Sequence, residues 1–161
     1  MIDNISWLAV YPEIVLLIMG CVIALVDLGV QSARRTATYA LTLLTMVVVA
    51  VLEAMYATSG NTFYGWGNMV VSDPMGNWLK CFASIAMVIT LIYGRPYAAD
   101  RGMLRGGGEL FTLSIFSLLG MFVMISANNF LMIYLGLELL TLSSYALVAL
   151  RRDHEGAVEA A

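Results

Sequence analysis

Residues 129–150 read NFLMIYLGLELLTLSSYALVAL. The stretch is long enough to cross a bilayer as one helix, since a hydrocarbon core of about 30 Å needs roughly 20 apolar residues. One carboxylate, Glu138, lies near its middle. A charge at that depth costs at least about 2.5–3.5 kcal/mol on insertion scales, so it needs an interior environment or a use. Glu138 is roughly 14 Å from Asn129 and roughly 20 Å from Arg151 along a helix axis, too far to reach water at either end. Tyr134, Glu138, Thr141 and Tyr145 fall at i−4, i, i+3 and i+7, on one helix face, with Ser144 beside them. Gly136 and Ser143 mark a different face, suited to close helix contact.

The whole chain shares this character. It has 161 residues, is 61% hydrophobic and 12% charged, and has a mean hydropathy of +0.87. Soluble domains sit near 45–50% apolar and about 25% charged, so this is an integral membrane chain. Apolar runs span roughly residues 12–28, 37–57, 75–93, 109–127 and 129–150. They are about twice too long, and too uniformly apolar, for transmembrane β-strands. The expected fold is all-α and polytopic, with about five transmembrane helices. Its units are residues 1–108, with three leading helices and their loops, and 109–161, with helices four and five and a cytoplasmic segment. The segment 58–74, rich in Gly, Asn and aromatics, reads as a loop whose Phe63, Tyr64 and Trp66 anchor it at the interface. Pro96 and the glycines around it make 94–108 a second loop.

Arginine placement gives the orientation. Arg34 and Arg35 lie between helices one and two, Arg95, Arg101 and Arg105 between three and four, and Arg151 and Arg152 after five. Alternation puts all three segments on one side, and the other side's loops carry no Lys or Arg. By the positive-inside rule the arginine side is cytoplasmic and the N-terminus is outside.

Lys80 is the eighth basic residue. It is about five residues into helix three, and its long stem is read as snorkelling to the outer interface. The alternative is a cation that tunes an intramembrane carboxylate, Glu138 included if helices three and five are adjacent. Glu53 and Asp27, near helix ends, are expected to be solvated or paired there, Asp27 with Arg34 or Arg35. Glu13 and Glu109 suit helix starts through the dipole. Cys21 and Cys81 read as small buried hydrophobes with neither disulfide nor metal-ligand spacing, and the one histidine, His154, sits in a polar loop. No Cys/His cluster or Gly-rich phosphate loop marks a metal, flavin, haem or nucleotide site, and no nucleic acid is expected as a partner. The lack of an early Lys or Arg argues against a cleaved signal peptide.

For Glu138 the functional reading is a proton-binding carboxylate in a polar path. Burial disfavours the charged form and a nearby cation favours it, so a group pulled both ways changes protonation when the cation moves. The alternative is a glutamate that hydrogen-bonds a neighbouring helix and fixes packing.

The segments SDPMGNWLK (72–80) and GGGELFTLSIFSLLGMFVMISANNFLMIYLGLELLTLSSYALVAL (106–150) resemble the antiporter-like subunits of respiratory complex I, the bacterial proton-translocating NADH–quinone oxidoreductase. The most specific piece is LGLELLTLSSYALVAL, which carries the glutamate and its helix together. The resemblance implies a fold of about fourteen helices, with two inverted five-helix repeats after three leading ones, each forming half of a proton channel. It maps the helix-five glutamate onto Glu138 and pairs it with a lysine of helix seven, with lysines on helices eight and twelve continuing the path. It implies a multi-pass subunit of a translocase in the bacterial inner membrane, beside other antiporter-like and membrane-arm subunits and lipid. NADH, FMN, iron–sulfur clusters and quinone belong to the whole complex, with no cofactor on this chain. The sequence reaches Ala161, about a third of such a subunit, before any of those lysines, and Lys80 matches none of them; a truncated or split product is the expectation. Two other readings stand beside this one: a cation/proton antiporter subunit of the same superfamily, and a non-transporting membrane assembly subunit. Co-purification with redox subunits, or with membrane chains alone, separates the first reading from the antiporter one.

The orientation is testable by thiol labelling of the full chain with Cys21 and Cys81 replaced. Cysteines at Ser32 and Gly107 should label from the cytoplasmic side and one at Gly60 from outside; the opposite pattern would overturn the assignment.

Overall fold

The structure is a computed structural model that describes residues 7–30, 35–101, 103 and 107–150. Arg34, Arg105, Arg151, Arg152 and His154 lie outside the described residues. Five helices follow in order: α1 (Tyr11–Gly29), α2 (Thr36–Ser59), α3 (Pro74–Asp100), α4 (Glu109–Ser126) and α5 (Phe130–Val148). All five are long and apolar enough to cross a membrane. Between α2 and α3 lies a small antiparallel hairpin, β1 (Phe63–Gly65) and β2 (Val70–Ser72).

Local chemistry accounts for the helix ends. Pro12 sits in the first turn of α1 and Pro74 in that of α3, where a missing N–H leaves no bond unmade. The Asp73 side chain accepts from Gly76 N at 3.2 Å, and Asn129 accepts from Leu131 N at 2.9 Å, so α3 and α5 are both capped. Gly60 ends α2 at φ 70, in the left-handed region that glycine adopts without a side-chain clash.

Two segments differ from the sequence reading. Residues 94–100 are helical, because α3 continues through Pro96 to Asp100. Pro96 cannot donate to the preceding turn. However, Arg95 is fixed against α2, donating to Thr36 Oγ1 at 2.9 Å and lying 4.1 Å over the Tyr39 ring, and the ladder resumes with Arg101 N to Tyr97 O at 3.1 Å. Residues 63–72 pair as a hairpin around positive-φ residues Trp66, Gly67 and Asn68. The hairpin closes one end of the bundle. Val70 bridges to Ala127, Asn128 N donates to Met69 O at 3.0 Å, and the Trp66 ring meets Trp7 edge-on at 6.4 Å. At the other end lie Arg35 and Arg95, as alternation of five spans requires.

Helix α4 is the hub and packs against each of the other four helices. Its Phe111, Ile115, Leu118 and Phe122 are fully buried among Leu16 and Ile23 of α1 and Met46 and Val49 of α2. Helix α5, by contrast, packs almost wholly on α4, and little of it is buried. The α4–α5 seam is tight. A Cβ on Gly120 would lie 2.7 Å from Leu140 N, and one on Gly136 would lie 2.8 Å from Met124 N. Those are backbone atoms, which cannot swing aside. Gly136 and Ser143 are the buried residues of α5, so the small-residue face read from the sequence is the face turned to α4. Cys81 is buried, but Cys21 is exposed: it lies on the outward side of α1, next to Gly20, which faces Ile115 and Phe116 of α4.

Thermal unfolding of the full chain in detergent tests the seam. Gly120→Val or Gly136→Val should destabilise by about 1–3 kcal/mol through overpacking. Gly94→Ala, whose Cβ meets nothing within 4 Å, should be neutral or slightly stabilising; equal behaviour of the three variants would refute the close-contact account.

Candidate functional site

Four helices converge near the hairpin end and bring a lysine and two glutamates together. Lys80 enters from α3, roughly 9 Å along the axis from its first residue. Its ammonium donates to Glu13 Oε1 of α1 at 2.7 Å and lies 3.5 Å from Glu53 Oε1 of α2. Ser126, the last residue of α4, donates to the same Glu13 oxygen at 2.6 Å. The Phe122 ring lies below the ammonium, 5.5 Å from Nζ to the centroid, a distance at which a cation is drawn to the ring face. Lys80 and Glu53 are 1% and 0% exposed.

This arrangement corrects two expectations. Lys80 does not snorkel: its stem and ammonium are both inside the bundle. Glu53 is not solvated at a helix end: it lies on the inward stripe of α2 with Thr42, Thr45, Met46, Val49, Ala50 and Ala57. The reason is electrostatic. An ammonium in apolar surroundings gains more from a carboxylate in contact than from a strained reach to the interface, provided its other donors are also met. Likewise Glu13 does more than favour the α1 dipole, because it is the counter-ion. The signal for this was present in the helical periodicity: Asn77, Lys80, Cys81 and Ser84 are the buried face of α3. Spacing alone does not say which helices that face meets.

At the arginine end, Asp27 performs a different task. Its carboxylate lies 3.2 Å from Arg35, accepts from Thr38 Oγ1 at 2.8 Å and accepts from Gly108 N at 2.6 Å. It thereby ties the end of α1 to the starts of α2 and α4. Gly108 leaves space for the carboxylate, which a Cβ there would strike. The pairing with Arg35 is one of the two options read from the sequence.

Glu138 sits elsewhere. It is two residues from Gly136, about 200° around the helix, and so projects away from the α4 seam. It is half-buried, while Tyr134 and Tyr145 beside it are exposed and Thr141 and Ser144 are half-buried. The Tyr134 side chain lies one turn from Glu138 on the same helix face. Thr141 and Ser144 use their hydroxyls locally, donating to the Glu138 and Leu140 carbonyls at 3.1 and 2.7 Å. Among the described residues no cation pairs with Glu138. Lys80 is committed to Glu13 and Glu53, and α3 and α5 are not packed together, so Lys80 does not act directly on Glu138. The stripe of Tyr134, Glu138, Thr141 and Tyr145 is thus an outward-facing polar strip on an otherwise leucine-rich surface, open to whatever covers α5.

No protein-family model matches the chain. Its relatives are nevertheless close. It is 74% identical over 161 residues to NADH-quinone oxidoreductase subunit N of Polaromonas naphthalenivorans, covering 100% of this chain and 32% of that protein. It is 52% identical over 161 residues to the subunit N of Herminiimonas arsenicoxydans, covering 99% and 33%. It is 45% identical over 152 residues to that of Cupriavidus taiwanensis, covering 94% and 30%. The chain spans about a third of the length of these relatives. The chain, with five helices long and apolar enough to cross a membrane, is similar over its whole length to the N-terminal portion of NADH-quinone oxidoreductase subunit N.

Proposed function

We propose that this chain works as the N-terminal portion of a membrane-arm subunit of proton-pumping NADH:quinone oxidoreductase, with Glu138 as its proton-relay carboxylate. The observation that carries the reading is the 74% identity, over all 161 residues, to a protein named as subunit N of that enzyme. In this reading the membrane is the bacterial inner membrane. The chain's neighbours are other membrane-arm subunits, and electron transfer takes place on subunits that hold the flavin and iron–sulfur clusters.

The geometry of α5 supports the role given to Glu138. A carboxylate facing away from its own bundle is available to a group on a covering helix. Held at low dielectric, its proton affinity depends steeply on the position of a neighbouring cation. A lysine that approaches draws the proton off, and one that withdraws lets it return. Tyr134, one turn away on the same face, offers a hydroxyl through which a proton passes toward the exposed end of the strip. Tyr145 extends the same strip about two turns in the other direction. Thr141 and Ser144, whose hydroxyls bond backbone carbonyls, keep that side polar without competing for the carboxylate.

The experiment is proton translocation by the assembled complex in inverted membrane vesicles. Glu138→Gln should lower NADH-driven proton uptake per turnover by at least about threefold, a modest share of what a positioned proton donor contributes. Normal uptake with Glu138→Leu in a fully assembled complex would sink the relay role.

A further inference from the structure

The cluster of Glu13, Lys80 and Glu53 holds two carboxylates and one ammonium, so its fully ionised form has a net charge of −1. The three groups do not share that charge evenly. Glu13 Oε1 is satisfied twice, by Lys80 at 2.7 Å and Ser126 at 2.6 Å. Glu53 has neither oxygen hydrogen-bonded among the described residues, although it is 0% exposed, and Glu13 Oε2 is likewise without a partner. An ionised carboxylate in that position would be buried, unbonded and only loosely compensated, which is the costly arrangement in an apolar interior.

We propose that Glu53 is an intramembrane proton-binding site distinct from Glu138, taking up one proton as its neutral acid beside the Lys80–Glu13 ion pair. The step is simple in its balance. A proton from water forms an O–H bond on a Glu53 carboxylate oxygen, the cluster goes from −1 to neutral, and no electron moves. The surroundings favour a proton over other cations. Lys80 places an ammonium 3.5 Å from Glu53, which opposes any added positive charge, a proton included; what favours the proton is that burial disfavours the charged carboxylate and that the neutral acid needs no coordination shell. Among the described residues no group of three His, Cys, Asp or Glu side chains is placed to hold a metal ion.

The other groups facing the cluster are few. Tyr11 comes from α1, Tyr56 from α2 and Cys81 from α3, each close enough to feel one or both glutamates or, for Tyr11, to act on Tyr56. From α4 come Ser126 and the Phe122 ring. Tyr11 is about half exposed, and the hydrogen-bonded Ser72 and Asn77 are buried. The proposal stands on the α1–α4 cluster alone and holds whether or not Glu138 relays protons.

Infrared difference spectroscopy of the full-length subunit in its assembled complex tests it. The wild type at neutral pH should show a carboxylic-acid carbonyl band that shifts in deuterium oxide, titrates away at high pH and is lost in Glu53→Gln. The same variant should assemble to wild-type level, since glutamine imitates the neutral acid, whereas Lys80→Met should lower assembly at least tenfold. A spectrum of Glu53→Gln identical to that of the wild type would overturn the proposal. So would failure of Glu53→Gln to assemble where Glu53→Asp succeeds, because that pattern requires an ionised carboxylate. Loss of the band on adding sodium at fixed pH would make this an alkali-cation site and overturn it as well.

Discussion

A lysine ammonium inside an apolar helix bundle must be met by a counter-charge, and the Lys80–Glu13 contact meets that constraint here. The two residues are 67 positions apart in sequence, so the bond joins α1 to α3 across the bundle. Ser126 adds α4 to the same oxygen and Glu53 adds α2. Four of the five helices are thereby registered against one another at a single depth. Hydrophobic burial gives little preference for one axial setting over another when lipid is as apolar as the bundle interior. A buried ion pair is different, because sliding any one helix by a turn separates charges that have no other partner. The pair therefore specifies arrangement more than it adds net stability, in keeping with the high desolvation cost of such pairs.

At the opposite end Asp27 does the same for the helix starts, with backbone and side-chain donors from α2 and α4. Between these two polar clamps the apolar residues of α4 fill the centre. Helix α5 lies outside both clamps. It is held by the Gly120–Gly136 approach, which brings its backbone against that of α4, and by the three-residue connection through Asn128 that the hairpin secures. Close backbone contact of this kind positions a helix firmly while using only one of its faces. The other face, with Glu138, is left available.

Much of this was legible in the sequence. Five long apolar runs implied five spanning helices, and the arginines implied their alternation. Gly136 and Ser143 marked the contact face of α5, and the spacing of Tyr134 and Glu138 marked the polar one. What failed did so where a tertiary contact outweighed a local rule. Pro96 reads as a helix end, but the helix continues through it to Asp100, with Arg95 anchored on Thr36 and Tyr39. The hairpin was hidden because its strands have three residues each and its turn places Trp66 and Asn68 at positive φ, a pattern with little in common with the usual Asn-Gly signal. Lys80 was misread because depth along the axis was weighed without rotation about it. Its distance from the helix start permits snorkelling. Its place on the Asn77–Ser84 face forbids it, since that face turns inward.

The two carboxylate sites differ in what they need, and this bears on how a longer protein would use them. Glu13, Glu53 and Lys80 form a set complete within α1–α4: cation and anions are all present, and their separation is fixed by packing. A charge there changes only when a proton enters or leaves. Glu138 has no such set among the described residues. Tyr134, Thr141 and Tyr145 share its face, and among the described residues no cation pairs with it. That face can be covered by another helix without disturbing the seam at Gly136, because the seam lies on the far side of α5. The backbone contact at Gly120 and Gly136 that locks α5 to α4 therefore fixes the position of Glu138 while leaving its face turned away from the α4 seam.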